Sequence, residues 1–315
     1  MNLKNIVSLS ICFLSLFSLE ANLWVAEKKI KIAATTSTFA SIAHDIAGDR
    51  ADIYYIASPN RDIHFIAPSP KDILKVKNAD VFINAGLDLE AWRGPLLDAV
   101  GRVDFMPPAG KRAIDVSEGI PLKEIPTSLS RIQGDIHAFG NPHYWLGPSN
   151  AKIIAANIAE GLSRLYPEEA DFFRKNADEF GRRIDHKMKG WQQQISPYKG
   201  QAVVPYHNSW PYFMDEFGLV TVGFLEPKPG IPPTPKHIEE IIQTMKERKA
   251  KIIVREVFHE KKAPTKIAKA TGAEIVTLAT EVGETKDGSY VSLIDQDIHQ
   301  IVEAFKGTNE AGGET

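Results

Sequence analysis

The chain has 315 residues, a length that suits one large domain or two medium ones. Its hydrophobic share of 43% and charged share of 24% are close to those of soluble globular proteins, so a packed core is expected. The net charge of -3 gives no electrostatic reason to expect nucleic acid or an anionic membrane as a partner, and we predict no nucleic-acid binding.

The beginning of the chain predicts a secretory signal peptide over residues 1–26. Lys4 gives a short positive region, residues 6–19 are apolar or small, and charge returns at Glu27. The apolar run is too short to cross a bilayer, which takes about 20 residues, although an uncleaved anchor is the alternative. We therefore expect a periplasmic protein that is exported through a cleavable signal.

The sequence contains one cysteine, Cys12, which lies inside the apolar run. Ser10 and Ile11 precede it, whereas a lipid-anchor site needs small residues there, so we do not expect lipidation. Once the signal is removed, the chain can form no disulfide and offers no thiolate. Any metal site must therefore use imidazole and carboxylate ligands.

Strand-like and helix-like segments alternate in the first half of the chain. Residues 29–34 and 52–57 predict strands, and the continuous apolar run at residues 81–85 predicts a buried one. The serine, proline and aspartate of residues 69–72 predict a helix start, because they supply a cap, a first-turn proline and an acidic third position. This alternation favours parallel strands with helical crossovers.

A helix is predicted over residues 149–165, and a longer one over residues 167–196. The apolar positions of the longer segment recur every three or four residues and share one helix face. They are Phe173, Ala177, Phe180, Ile184, Met188, Trp191 and Ile195. At 1.5 Å per residue this helix is about 45 Å long, more than an ordinary domain needs on its surface.

The alternation restarts beyond the long helix. Strands are predicted at residues 202–205, 220–225, 251–254 and 274–278, and helices at 211–217, 234–248, 264–271 and 290–305. We therefore predict an α/β fold with two parallel-sheet α/β lobes joined by a single long rigid α-helix. The expected boundaries are 27–165 for the N-terminal lobe, 166–197 for the linker helix, 198–307 for the C-terminal lobe and 308–315 for a flexible tail.

The sequence has nine histidines, and three of them are candidates for chemistry. His64, His143 and His207 lie in loops that lead into helices, and His207 ends a predicted strand. Ligands bind outside the carboxyl ends of strands in open α/β sheets, and neutral imidazole is a common zinc ligand. Their spacing matches no local metal motif, so other roles stay open at this point. Four histidines in helical patterns are expected at or near the surface: His44, His186, His237 and His299.

Several segments carry a resemblance to a known family. In chain order they are residues 62–64 (DIH), 68–72 (PSPKD), 79–92 (ADVFINAGLDLEAW), 140–146 (GNPHYWL), 206–207 (YH), 212–213 (YF) and 217–219 (FGL). Together they resemble the substrate-binding proteins of metal-importing ABC transporters, of the zinc and manganese type. The resemblance runs from about Lys29 to Lys306.

The resemblance implies the same two-lobed fold and places metal-binding histidines at His64, His143 and His207. It implies high-affinity capture of a divalent transition metal in the cleft between the lobes and delivery to an ABC transporter permease in the inner membrane. Zn²⁺ is the expected cargo, with Mn²⁺ or iron as the alternative, and a monomer is expected. Trp92, in one of the matching segments, is expected in the core.

The fourth ligand is the position at which this sequence departs from the family. Ala279 stands where the family usually has an aspartate, and Glu281 follows shortly after it. Because zinc prefers four ligands, we predict Glu281 as the fourth, with Glu90 or a water molecule as alternatives. Glu90 matches a family carboxylate near the metal but is equally explained as a helix-start acid. His137 is expected to be structural or a weak entry ligand.

Other function classes are compatible with three histidines. Three imidazoles and an open position also describe catalytic zinc, but the sequence has no HExxH pair and no GxSxG elbow. A surface adhesion module is a further class, and nothing in the sequence indicates a host partner. We therefore predict a transport protein rather than an enzyme. The Irving–Williams order favours zinc over manganese at a nitrogen-rich site.

Overall fold

The computed structural model of the protein describes residues 28–107, 110–127, 137–283 and 287–310. The predicted signal peptide over residues 1–26 lies outside the described residues, as does the end of the predicted tail from residue 311 onward. None of the helices in the described ranges combines the length and the apolar character that a membrane span requires.

The N-terminal lobe is built on a parallel sheet. Its strands are β1 (Ile30–Thr36), β2 (Ala51–Ala57), β3 (Val81–Asn84) and β4 (Ala113–Asp115), and its helices are α1 (Ser37–Ala47), α2 (Pro70–Lys77) and α3 (Arg93–Val100). The strand order is β2-β1-β3-β4, with all neighbours parallel. Helix α2 begins with the predicted capping box, in which Ser69 and Asp72 satisfy each other's backbone N–H groups.

Two long helices follow the N-terminal sheet, and the second of them joins the lobes. They are α4 (Pro148–Leu165) and α5 (Ala170–Ile195), and short 3₁₀ turns precede and follow α5. The predicted apolar face of α5 is confirmed, because its buried residues are Phe173, Phe180, Ile184, Trp191 and Ile195. Ala177 and Met188 pack partly buried against the same core. This core contains residues of both lobes, which makes α5 an integral part of the packing between them.

The C-terminal lobe repeats the strand order of the first. Its strands are β5 (Ala202–Pro205), β6 (Val220–Thr221), β7 (Ile252–Glu256) and β8 (Glu274–Leu278), and its helices are α6 (Pro211–Phe217), α7 (Pro235–Glu247), α8 (Lys262–Thr271) and α9 (Tyr290–Glu310). The order β6-β5-β7-β8 corresponds to that of the N-terminal sheet, again with parallel pairs. The predicted fold class is therefore confirmed.

Two segments differ from the prediction from sequence. Strand β6 is much shorter than the predicted 220–225, because it is an edge strand and its continuation makes only separate backbone hydrogen bonds to the neighbouring β5 segment. Strand β4 was not predicted. It pairs with β3 through only three residues, too few for a recognisable sequence pattern.

Candidate metal centre

Three predicted histidines converge between the lobes. One nitrogen from each of His64, His143 and His207 lies within 4.8 Å of the others. The Nε2 atoms of His64 and His143 are 3.0 Å apart. Zinc–nitrogen bonds of the usual length place the nitrogens of a tetrahedral site about 3.3 Å apart. The group therefore has the dimensions of a site for one metal ion.

His64 is held by the turn that follows β2. It lies in the 3₁₀ turn Ile63–Phe65, whose cap Asp62 accepts a hydrogen bond from the His64 backbone N–H at 2.9 Å. Trp92 donates its indole N–H to the Ile63 carbonyl at 2.8 Å. Trp92 is buried, as predicted, and its hydrogen bond joins the turn that carries His64 to the core of the lobe.

His143 is fixed by an asparagine two residues earlier. The side-chain oxygen of Asn141 accepts hydrogen bonds from both the backbone N–H and the ring Nδ1 of His143, each at 3.0 Å. The following residue, Tyr144, is fully buried and donates its hydroxyl to the Ala85 carbonyl at 2.6 Å. These contacts leave Nε2 of His143 directed toward His64.

His207 follows strand β5 and comes from the opposite lobe. Its Nδ1 donates to the Oε2 atom of Glu226 at 2.7 Å, which leaves Nε2 as the nitrogen available for a metal. The backbone N–H of the preceding residue, Tyr206, donates to the Val254 carbonyl of β7 at 2.7 Å and continues the sheet up to the histidine.

The pKa values of the three histidines shift in opposite directions in the two lobes. Burial, followed by the nearby histidines, lowers the pKa of His64 and of His143 well below the ordinary value, so both rings are neutral with free lone pairs. Burial also lowers the pKa of His207, but the hydrogen bond and charge of Glu226 outweigh it, and the net pKa is raised.

The space at the histidine nitrogens is small. A cavity of about 10 Å³ is lined by Asp62, His64, His143, His207 and Ser209, among others. A volume of this size is close to that of one water molecule. Beside it a more open cleft of about 340 Å³ is lined by Glu124, His137 and Asn208, together with His143 and His207. The centre therefore fits a single ion with a route to solvent.

The predicted carboxylates lie outside the histidine group. Glu281 is buried, and its Oε2 accepts hydrogen bonds from Ser37 Oγ at 3.1 Å and from the Thr38 backbone N–H at 2.9 Å. Glu281 thus joins the loop after β8 to the start of α1 in the other lobe. Glu90 is also buried, and it accepts a hydrogen bond from the Ala85 backbone N–H at 2.7 Å.

His137 lies closer to the centre than the sequence indicated. Its ring centroid is 5.0 Å from that of His64, and burial lowers its pKa to about 4. It is not part of the tight group that the nitrogens of His64, His143 and His207 form. The expectation for the helical histidines holds: His44, His186 and His299 are exposed, and His237 is half-buried.

The prediction from sequence missed three residues that surround the histidine group: Glu226, His259 and Asn141. Glu226 and His259 follow strands β6 and β7, and Asn141 precedes His143 in a matching motif. The sequence contained a usable signal for Glu226 and His259, since both follow predicted strands and the loops after parallel strands meet at the ligand-binding edge of the sheet. Their contacts with one another are visible only in the folded chain.

Comparison with known proteins identifies the family. Residues 32–304 match the family model described as "ZnuA: Zinc-uptake complex component A periplasmic". The chain belongs to this family. Because the match spans most of the chain, the resemblance predicted from the sequence motifs is confirmed.

Curated relatives of this family member have different metals in their names. The iron-binding protein YfeA of Yersinia pestis is 27% identical over 88% of this chain and 87% of its own length. The manganese ABC transporter substrate-binding lipoprotein PsaA of Streptococcus mitis is 25% identical over 88% of this chain and 90% of its own. The zinc-binding protein AdcA of Streptococcus pyogenes is 25% identical over 82% of this chain, which spans only 50% of AdcA.

Solved structures share the fold of this family member. A crystal structure of ZnuA superposes with a TM-score of 0.74 at 23% identity, covering 88% of this chain and 99% of that one. The Mn-bound periplasmic metal binding protein from Candidatus Liberibacter asiaticus gives 0.72 at 22% identity, covering 87% and 99%. At this level of identity the likeness establishes the architecture.

Proposed function

We propose that this protein binds one zinc ion between its lobes and delivers it to the permease of an ABC importer. Members of its family are metal-binding components of ABC metal transporters. The observation that carries the proposal is the convergence of His64, His143 and His207 from both lobes on one ion-sized space. We propose these three residues as the ligands.

The donor set favours zinc over the other metals named for the relatives. Neutral imidazole nitrogens suit zinc, whereas manganese prefers more oxygen ligands. The carboxylates nearest to the ligands, those of Glu226 and Asp62, are hydrogen-bonded to His207 and to the His64 backbone. A nitrogen-rich site of this kind supports zinc as the cargo, with manganese or iron as the competing proposals.

The fourth coordination position stays a prediction. The Oε2 atom of Glu281 accepts hydrogen bonds from Ser37 and Thr38, whereas its buried Oε1 atom has no hydrogen-bond partner among the described residues. The Oε1 atom of Glu90 accepts from the Ala85 backbone N–H, and both carboxylates lie outside the group formed by the three histidine nitrogens. This arrangement favours water in the fourth position, which suits a carrier because a water ligand leaves easily on release. Comparing the zinc affinity of Glu281→Ala with that of Glu90→Ala tests the alternatives, since loss of a direct ligand weakens binding far more.

The geometry gives less support to a zinc hydrolase. Such an enzyme needs room for a substrate at the metal and a base that can act on it. The space directly at the three nitrogens is about 10 Å³, with the cleft of about 340 Å³ beside it, and the carboxylate of Glu226, which would be the candidate base, is already engaged with His207. We propose that the protein is a periplasmic monomer with no enzymatic activity, exported by its predicted signal over residues 1–26.

The deciding experiment is a zinc titration of the metal-stripped mature protein against a chromophoric chelator. We expect saturation at one zinc per chain, tighter than manganese in direct competition, and elemental analysis of protein from its native periplasm should find zinc. Preferential retention of manganese or iron would overturn the metal assignment. Two equally tight zinc ions would contradict a single histidine site.

A further inference from the structure

The proposed C-terminal ligand, His207, has a largely buried carboxylate beside it, that of Glu226. Glu226 lies after β6, and its backbone N–H donates to the Tyr206 carbonyl at 3.0 Å, next to the histidine in sequence. Its side chain is only 10% exposed. Its Oε2 atom accepts hydrogen bonds from His207 Nδ1 at 2.7 Å and from the Gly230 backbone N–H at 3.3 Å. A buried carboxylate is costly unless it is paired in this way.

A second layer of contacts lies behind Glu226. The Nε2 atom of His259 is 3.9 Å from Glu226 Oε1, and its Nδ1 donates to Glu256 Oε2 at 2.6 Å. Glu256 is fully buried and also accepts the indole N–H of Trp210 at 2.8 Å. The His259 ring stacks on Tyr206 with centroids 4.1 Å apart. These contacts hold the His259 ring in place beside the Glu226 carboxylate.

Among the described residues, no carboxylate is hydrogen-bonded to a ring nitrogen of the two N-terminal histidines, His64 and His143. His143 donates to the neutral amide oxygen of Asn141, and His64 makes a backbone hydrogen bond with Leu89. Within the described part of the chain, the carboxylate hydrogen-bonded to a ring nitrogen of the three histidines is that of Glu226, on His207. The negative charge that faces a bound dication through an imidazole ring therefore comes from the C-terminal lobe.

We propose that Glu226 is a positioning residue for the metal: it holds His207 with Nδ1 protonated and Nε2 directed at the ion, and its charge strengthens the imidazole as a donor. This inference rests on the proposed function and adds to it a residue that never touches the metal. A carboxylate on the far nitrogen of a ligating histidine fixes the ring orientation and raises ligand basicity. His259 and Glu256 act through Glu226 by keeping its carboxylate in place.

The test compares the zinc affinity of Glu226→Ala and Glu226→Gln with that of the parent protein. Loss of such a partner weakens metal binding by about 10- to 100-fold, and we expect this loss for Glu226→Ala. Glutamine keeps an acceptor for Nδ1 but not the charge, so Glu226→Gln should fall between alanine and the parent. The matched control is Glu240→Gln, because Glu240 pairs with His237 at 3.5 Å but is 57% exposed. It should bind zinc like the parent.

A spectroscopic readout separates positioning from a general structural role. In zinc-loaded protein with isotope-labelled histidine, proton–nitrogen correlation should show a slowly exchanging Nδ1–H of His207 in the parent and in Glu226→Gln. The same signal should exchange with water and vanish in Glu226→Ala. If Glu226→Ala is too unstable to fold, the affinity and spectrum of Glu226→Gln still decide the role of the charge.

The outcomes are distinguishable from failure of the proposed function. If Glu226→Ala and Glu226→Gln both bind zinc as tightly as the parent while His207→Ala does not, the positioning role is overturned and the metal site stands. If the parent protein itself binds no zinc, the proposed function is overturned, and the positioning role of Glu226 is overturned with it. Equal losses in Glu226→Gln and Glu240→Gln would assign the effect to net charge and overturn the specific role of Glu226.

Discussion

The two lobes share one strand order, yet they contribute different kinds of histidine to the centre. The N-terminal lobe supplies His64 and His143, two neutral rings whose Nε2 atoms already face each other at 3.0 Å. The C-terminal lobe supplies His207, which is backed by the carboxylate of Glu226. The comparison indicates a division of roles, in which one lobe preforms the nitrogen pair and the other adds a donor supported by charge.

The different surroundings of the histidines also give them different affinities for protons. The lowered pKa values of His64 and His143 keep both rings neutral at neutral pH, whereas Glu226 raises the pKa of His207, so protons compete with a metal for His207 up to a higher pH than for the other two. The pH dependence of metal binding is therefore expected to come from His207 and its partner Glu226, in the C-terminal lobe. The following predictions test this difference, beginning with the largest expected effect.

Removing one of the two proposed N-terminal ligands should have the largest effect on zinc affinity. Zinc binding at a complete four-ligand site is worth about 10–16 kcal/mol, so one ligand contributes on the order of 3 kcal/mol, or roughly 100-fold in affinity. We expect a loss of this order for His143→Ala and for His64→Ala, measured by chelator competition. His186→Ala and His299→Ala are the controls and should have no effect. Parent-like affinity in His143→Ala would exclude His143 as a ligand, and the same result in both His143→Ala and His64→Ala would exclude the N-terminal lobe from the site.

The contact between the lobes should make folding stability depend on pH. Burial raises the pKa of Glu281 from 4.5 to about 7, a difference worth about 3 kcal/mol. The folded protein holds this proton more tightly than the unfolded chain does. The stabilising effect of the proton is therefore complete below the ordinary pKa and is lost as the pH rises through about 7.

Glu281→Gln isolates this effect, because glutamine keeps the size and an acceptor for Ser37 and Thr38 but does not titrate. Denaturant unfolding of the metal-free proteins between about pH 5 and pH 8 should show the variant gaining stability relative to the parent as pH rises. A constant difference across this range would mean that Glu281 does not titrate between the lobes.

Acid should weaken zinc binding by protonating His207, in the C-terminal lobe. Below the raised pKa of His207 the ion must displace one proton, so the apparent affinity should rise about tenfold per pH unit and then level off above that pKa. Calorimetry in buffers of different ionisation enthalpy counts the released protons. Glu226→Gln removes the charge that raises this pKa, so its plateau should begin at lower pH. If zinc affinity depended on pH in the same way in Glu226→Gln and in the parent, the proposed difference between the two lobes would be contradicted.

The smallest effect is expected in overall shape. Helix α5 runs continuously between the lobes, and contacts beside the centre join them, including Trp145 Nε1 to the Thr280 carbonyl at 2.7 Å and Lys123 to Asp215 at 2.6 Å. A continuous helix resists wide hinge closure. Small-angle scattering should therefore find the same radius of gyration with and without zinc. A clear compaction on binding would show that the two halves approach each other as rigid bodies.

Much of the fold follows from local patterns in the sequence. The three-and-four spacing of apolar residues specifies the buried face of α5, and Ser69 with Asp72 specifies the start of α2, because helix geometry is set by neighbours within one or two turns. Alternation of strands and helices indicates parallel sheets, because a helix between two strands lets the second strand run in the same direction as the first. The three histidines proposed as ligands were predicted through family motifs, since their positions follow no local spacing.

Tertiary structure decided which side chains became partners. Glu281 bonds Ser37 across 244 positions of sequence, and Glu226 meets His207 only because the segments after β5 and β6 end at the same edge of the sheet. The sequence placed Glu281 near the centre but gave no means of choosing between a metal and the start of α1. Local periodicity fixes the direction of a side chain within its element, whereas the contacts between lobes fix what that side chain meets.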